Sequence, residues 1–502
     1  MSFELGEDRR RALGALSKLS PGLVRELCGQ AIDVALGSGA GYADARAVAR
    51  RVQHVGTKNG EVEAVSDGET EGIGVRVLVD GAWGFACDRR LNEEGAREAA
   101  QRAVAFARAS ATRARRRVDL APITAEKGEY RTPAKRDPIE VSLSDKVDLC
   151  LRAEAGMKHE NVEITEASVR AQREQRVFRS SEGSDVHQEF FECGAGIDAL
   201  AIGDGRVQIR SYPSAHGGSS AQAGWEYVEG LELEREAPRV GEEAAALLQA
   251  DPCPSAVTTI VIDSEQMVLQ VHESVGHPTE LDRVYGTEAA YAGTSFLKAD
   301  DLGSLRYGSD LMNITADSTT EGGMGTFAYD DEGVPAGRQP IVEAGLLRGF
   351  LSSRETAAMI GAGHGGSMRA DGWSRMPLVR MTNLHLEPGE GRFEDLLADV
   401  DDGVYMCTNK SWSIDDKRLN FQFGTQVAWE IKGGKLGRML RDATYMGVTP
   451  VFWAGLDAVA GKDEWQLYGL TNCGKGQPGQ HAHVSHGTAP GRFRKVQVGV
   501  RN

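Results

Sequence analysis

Two histidines five residues apart on one predicted helix set the tightest condition this sequence places on its own fold. Residues 271–282 read Val-His-Glu-Ser-Val-Gly-His-Pro-Thr-Glu-Leu-Asp. Asp263 or Ser264 can cap a helix ahead of them, and Met267, Val268, Val271 and Val275 give it an apolar stripe. Each helical residue turns by about 100°, so five steps leave His272 and His277 about 140° apart on a regular helix. The two rings can share a partner only if the helix is interrupted between them. Gly276 tolerates unusual dihedrals, and Pro278 biases His277 away from the α region. The expectation is a widened turn near Gly276 that swings His277 back under His272.

The partner such a pair would share is a metal ion. In HExxH sequences two histidines bind zinc from one helix face, and the glutamate after the first is a general base. Glu273 stands in that place here, with a spacing one residue longer. Histidine pairs also arise by chance, and buried histidines are often plain hydrogen-bonded core residues. The joint pattern is harder to reach by chance: Glu273 after His272, Gly276 before His277, and acids at Glu280 and Asp282. A catalytic zinc takes three protein ligands and keeps a fourth position for water. Glu280 is one candidate third ligand. It can equally act behind the ligands, orienting a histidine N–H, a role also open to Asp282. Cys473, in the glycine-rich stretch 469–480, is another candidate. His481, His483 and His486 follow it, as further ligands or as residues of a solvent-facing edge strand. Chemistry alone leaves Cys473 and Glu280 open.

The rest of the chain supplies the setting. Its 502 residues suit two large domains or three ordinary ones. Glycine, at 61 residues, exceeds the usual ~7% and favours strands and turns over a helical bundle. Helices are expected at 7–19, 21–38, 93–113, 144–157 and 239–250, and strands at 43–52, 60–66, 72–79 and 82–86, with more up to 212. The stretch 119–141 reads as a crossing loop. Asp251-Pro252-Cys253-Pro254 marks a boundary between domains 1–250 and 256–502. The second half reads as strands broken by helices near 264–277, 353–361 and 393–400. A net charge of −16 repels phosphate, which argues against direct nucleic-acid binding. The arginines at 113 and 115–117 read as a solvated helix end. No run is long and apolar enough for a membrane span or a signal peptide. Seven widely spaced cysteines without a CxxC argue for a reducing, cytoplasmic setting.

Several segments together carry a resemblance. They are Tyr42-Ala43-Asp44-Ala45-Arg46, the run 71–86 around Gly74-Val75-Arg76-Val77, and Phe178-Arg179-Ser180-Ser181-Glu182-Gly183. Further along stand 272–282, Phe327-Ala328-Tyr329-Asp330-Asp331-Glu332-Gly333, Arg380-Met381-Thr382-Asn383, Asn420-Phe421-Gln422-Phe423 and Cys473-Gly474-Lys475-Gly476. In that order they resemble the TldD/PmbA family, in its metallopeptidase (TldD-type) branch. The resemblance implies an α+β chain. Its N-terminal α/β domain would hold a mostly antiparallel sheet, and its C-terminal β-rich, barrel-like domain would carry the metal-binding helix. It implies His272, His277 and Cys473 as ligands of Zn²⁺ and Glu273 as the catalytic carboxylate. It also implies an extended peptide substrate and a dimeric cage, built as a homodimer or with a PmbA-like sister subunit. Arg380 and Asn383, with the glycine-rich stretch 361–372, are the candidates for contacting the peptide.

Two other functions compete. One is a non-catalytic peptide-binding or modulator subunit, against which the intact His272, Glu273, His277 and Cys473 argue. The other is an exopeptidase like dipeptidyl-peptidase III, whose third ligand is a glutamate on a second acidic helix that has no convincing equivalent here. Gly361, Gly363 and Gly366 match GxGxxG, but no helix is expected after them. Gly469–Lys475 approaches a phosphate-binding loop, but Gly476 replaces the hydroxyl residue.

Overall fold

The structure is a computed structural model that describes residues 20–499 except 216, 362–365 and 477. The helix expected at 7–19 lies outside the described residues.

The N-terminal half is built on two long antiparallel hairpins. Tyr42–Lys58 pairs with Glu61–Val79, and Val162–Ser180 pairs with Asp185–Gly203. The hairpins join edge to edge, with Asp44 opposite Ser180. Asn59-Gly60 and Asp80-Gly81 turn the chain with positive φ at all four residues, as tight hairpins require. What the sequence pattern divides into strands at 60–66 and 72–79 is thus one continuous strand. The stretch 119–141 is also more ordered than expected. Lys127–Arg131 adds a parallel strand alongside Asp185–Glu189.

Helices cover this sheet in two groups. Pro21–Gly37, capped by Ser20, and Glu93–Ala111, capped by Asn92, lie over one end. Leu143–Gly156 and Leu233–Gln249 lie over the other. The last begins well before residue 239 and runs through Pro238, which sits in its first turns. Small residues set the packing distance. Ala96, Ala99, Ala100, Ala103 and Ala107 face the sheet, and a Cβ on Gly84 would stand 2.1 Å from the Ala103 carbonyl oxygen.

The C-terminal half holds one large core. Five strands close on themselves: Ala256–Ile262, Asp402–Ile414, Asn420–Lys432, Thr444–Val448 and Gly491–Val498. Phe421, Phe423, Tyr445, Phe452 and Phe493 fill this barrel with mutually packed rings. Beside it lies a six-stranded sheet whose outer members are Leu346–Leu347 and Gln466–Lys475. The helix Ser264–Val271 leaves the first barrel strand and passes between the barrel and that sheet. The molecule is therefore α+β, with a barrel in its C-terminal half.

A buried ion network joins the halves. Arg76 donates to Asp44 at 2.7 Å and to Glu332 at 3.0 Å, and Arg176 reaches Asp331 at 2.8 Å. Arg354 is bonded to Glu182 at 2.6 Å.

Gly84→Ala forces a methyl into the backbone of the covering helix. It should lower stability by about 1–3 kcal/mol, the usual cost of overpacking a core. A urea melt gives the value, and an unchanged midpoint would show that the helix yields.

Candidate metal centre

The α-helix that starts at Ser264 ends at Val271. His272–Gly276 then form a π turn, and the N–H of His277 bonds to the carbonyl of His272, five residues back. The expected widening is present, but not for the expected reason. Gly276 and His277 both have ordinary α dihedrals. Glycine is required at 276 because a Cβ there would lie 2.1 Å from the Met381 sulfur. The turn is held by side chains that take up carbonyls the π geometry releases. The Tyr307 hydroxyl donates to the Ser274 carbonyl at 2.5 Å. Thr279 Oγ1 reaches the carbonyls of Val275 and Gly276 at 2.8 and 3.0 Å. Trp453 Nε1 and Gln270 Nε2 both donate to Ser274 Oγ.

The result brings His272 and His277 together, with ring centres 4.8 Å apart and nearly perpendicular. Cys473 arrives from the outer strand of the six-stranded sheet, its Sγ 3.9 Å from His277 Nε2. One ligand atom from each of the three residues lies within 4.8 Å of the others. All three side chains and Glu273 are only 4–7% exposed.

Hydrogen bonds fix which face each ring offers. His486 Nδ1 donates to the Leu384 carbonyl at 3.0 Å, which leaves its Nε2 as an acceptor. His272 Nδ1 lies 2.8 Å from that Nε2 and must supply the proton. The His272 Nε2 lone pair is therefore free for an ion. His277 Nδ1 is 3.0 Å from a Glu280 oxygen, and because an ionised carboxylate only accepts, His277 Nε2 is free as well. Burial holds both rings below the ordinary histidine range, so both are neutral at pH 7.

Glu280 is the buried anchor of this arrangement. Burial alone would raise its pKa, but Lys475, His277 and Arg283 outweigh that and hold it well below the carboxylate range. Lys475 Nζ stands 3.4 Å from Glu280 and 2.8 Å from Asp282. Asp282 therefore touches the site through Lys475, and burial raises its pKa.

The cysteines separate on chemistry. Burial pushes the thiols of Cys28, Cys150 and Cys193 up to about 12. Burial acts on Cys473 too, but Arg380 and His277 more than offset it, and its thiol lies below the ordinary value. It is the only one of the seven poised toward thiolate. Two neutral imidazole nitrogens and a thiolate make a donor set that fits zinc.

Glu273 follows the first candidate ligand, and Arg418 Nη1 donates to its Oε2 at 2.5 Å. Arg418 sits in a tight turn after Asp402–Ile414, with a φ of 63°. No sequence spacing points to it, because it comes 145 residues after Glu273. His481, His483 and His486 lie on an inner strand, not an edge. Of the three, only His486 touches the candidate ligands, and His483 bonds Glu192 instead. Arg380 donates to the carbonyls of Cys473 and Gln480. Asn383 binds the Gly325 N–H, the Asp317 carbonyl and the Thr326 hydroxyl, which pins a loop. Gly469–Lys475 is a strand, so it cradles no phosphate.

Family models match along the chain. They describe PmbA/TldA metallopeptidase domain 1 at residues 43–107, the central domain at 136–250 and the C-terminal domain at 255–499. A metalloprotease of Methanocaldococcus jannaschii is 31% identical over 448 residues, covering 89% of this chain and 94% of that protein. One from Methanothermobacter thermautotrophicus is 30% identical, covering 91% and 95%. A shorter match, to 48% of this chain and 51% of the relative at 24% identity, is called a zinc metalloprotease TldD homolog in Saccharolobus solfataricus. Among solved structures, a Thermotoga maritima protein labelled as a DNA gyrase modulator superposes with a TM-score of 0.75 at 19% identity. The match covers 94% of this chain and 99% of that one. TldE from Thermococcus kodakarensis gives 0.71 at 16% identity, covering 94% and 100%. Matched along nearly its whole length by proteins named metalloproteases, the chain belongs to the TldD/PmbA metallopeptidase family.

Proposed function

We propose that this protein is a zinc-dependent peptidase that cleaves short or unfolded peptides in an extended conformation. The observation that carries the reading is the meeting of His272, His277 and Cys473 within 4.8 Å, with both histidine tautomers set for an ion and Glu273 beside them. Zinc held by these three residues would lower the pKa of a water toward neutrality and polarise a peptide carbonyl.

The chain's own residues do the rest. Glu273 takes the proton of the attacking water and passes it to the leaving amine. Arg418 holds one carboxylate oxygen of Glu273, which leaves Oε1 to face the water. Glu280 and His486 keep the two imidazoles in register. The near-complete burial of the centre supports a preference for thin, extended substrates over folded ones. Cys473 stands on an outer strand, where a peptide can add its backbone to the sheet. The fold shared with TldE supports a pairing with a PmbA-like sister, or with a second copy, around an enclosed chamber.

Three outcomes are expected. Elemental analysis of the purified protein should find about one zinc per chain, and Cys473→Ala should lose most of it. Full occupancy without Cys473 would move the third ligand elsewhere, and no zinc after reloading would sink the reading. Glu273→Gln should keep its zinc and lose about 10²- to 10⁴-fold in peptide hydrolysis. Unchanged hydrolysis would remove Glu273 from the reaction, and no hydrolysis by the unsubstituted zinc-loaded protein would leave a binding subunit. Glu280→Gln should weaken zinc binding about 10- to 100-fold in a chelator competition, through loss of the charge that orients His277.

A further inference from the structure

A cavity of about 50 Å³ lies on the seam between the halves. One wall is the N-terminal sheet, and the other is the segment around Arg369 and the strand 480–488. Its charges are unevenly matched. Arg50 is bonded to Glu174 at 2.6 Å and to Asp371 at 3.0 Å. Arg176 is bonded to Glu174 at 2.6 Å and to Asp331 at 2.8 Å. Glu192 accepts from His483 at 2.6 Å and from Gln172 at 3.1 Å. Every carboxylate in the wall is thus engaged.

Two arginines in the same wall have no carboxylate among the described residues. Arg369 donates to the main-chain carbonyls of Met381, His483 and Met324. Arg380, 1% exposed, donates only to the carbonyls of Gln480 and Cys473. A guanidinium has five N–H groups, so both keep donors to spare. Arg380 Nε is buried with no partner at all. Burial, with Arg176 and Arg380 as neighbours of like charge, pushes Arg369 down to about 10. The Arg380 charge is set against the Cys473 thiol, but Arg369 is bonded to no counter-charge, and an anion in the cavity would offset the cost of burying it.

The position of the cavity says what kind of anion. Arg380 reaches from its wall to the carbonyl of Cys473, and Ala482, another lining residue, is the cross-strand partner of Cys473. An anion here is therefore next to the candidate metal centre, where a peptide undergoing cleavage would pass. We propose that the cavity is an anion subsite in which Arg369 and Arg380 hold a carboxylate of the peptide, from an acidic side chain or from its C-terminus. The planar guanidinium fork suits that group. The assignment rests on the peptidase reading and narrows its substrate to peptides with a carboxylate near the cleaved bond.

The test uses the full chain carrying Glu273→Gln, which should bind peptides without turning them over. Fluorescein-labelled peptides are compared in pairs by anisotropy, with Glu against Gln at successive positions and free acid against C-terminal amide. One acidic member should bind about tenfold tighter than its neutral twin, a typical worth of a charged hydrogen-bonded contact. The pair that shows it names the source of the carboxylate. Adding Arg369→Gln should abolish the difference while leaving the neutral peptide's affinity and the zinc content unchanged, and Arg369→Lys should restore part of it. Equal affinity for all pairs overturns the subsite but not the peptidase. A preference that survives Arg369→Gln does the same. Inorganic phosphate that displaces neither acidic nor neutral peptide, yet raises the melting temperature through Arg369, would make this a free-ion site and overturn the substrate assignment. No binding of any peptide would overturn both readings.

Discussion

An N–H bonded five residues back instead of four puts one extra residue into the turn after His272. The rest of the candidate centre depends on that residue. On a regular helix His277 would point about 140° away from His272, into a different part of the core. The widened turn leaves carbonyls without helical partners, and at full burial each would cost on the order of 1–3 kcal/mol if left unpaired. Tyr307 and Thr279 pair them, and Trp453 and Gln270 hold Ser274 in the middle of the turn. The turn is thus built in by its neighbours, and is not a frayed helix end.

From that turn outward, the order of the site is an order of protons. Two chains of hydrogen bonds end on atoms that can only accept, the Leu384 carbonyl and the ionised Glu280. Each chain leaves one imidazole Nε2 without a proton and facing the thiol. The hairpin from Gln466 to Thr488 supplies Cys473, Lys475 and His486 together. A candidate ligand, the cation that keeps Glu280 ionised, and the base that sets the His272 tautomer therefore move as one unit. A shift of this hairpin would disturb all three at once, so the site is rigid where the ladder is rigid.

Much of this could be read in the sequence, for identifiable reasons. The glycine content favoured strands and turns, Asp80-Gly81 is a hairpin signal in its own right, and the α+β architecture with its barrel-like second half came from the resemblance. The need for a wide turn followed from angular arithmetic on two histidines. Its cause did not, because the contact between Gly276 and Met381 spans more than a hundred residues and leaves no periodic trace. Arg418 carries no sequence signal for the same reason, and Lys475 and His486, though both stand in segments the sequence marks out, show their roles only when tertiary packing brings them to Glu280 and His272. The strand 127–131 was hidden by prolines and charges on both sides, and its parallel pairing with 185–189 supplies what local propensity lacked. The helix starts at Leu233, ahead of the expected 239, with Pro238 as its sixth residue, so the proline gives up one helical hydrogen bond without ending the helix.

The two halves are held by charge as much as by apolar contact, and this explains segments that no local structure accounts for. Asp44 and Arg76 in the N-terminal sheet, and Asp331 and Glu332 in the C-terminal half, come from separate stretches of the resemblance and meet in one buried network. Removing water from so many charges is worthwhile only where each finds a fixed partner. That matching is nearly complete across the seam, from Arg46 near Asp331 to Arg354 on Glu182. It lapses at Arg369 and Arg380, beside the carbonyl of Cys473. That gap lies next to the candidate metal centre, where the proposed peptide carboxylate would supply the missing charge. The N-terminal half then does more than cover the barrel, because it supplies the wall against which that carboxylate would be held.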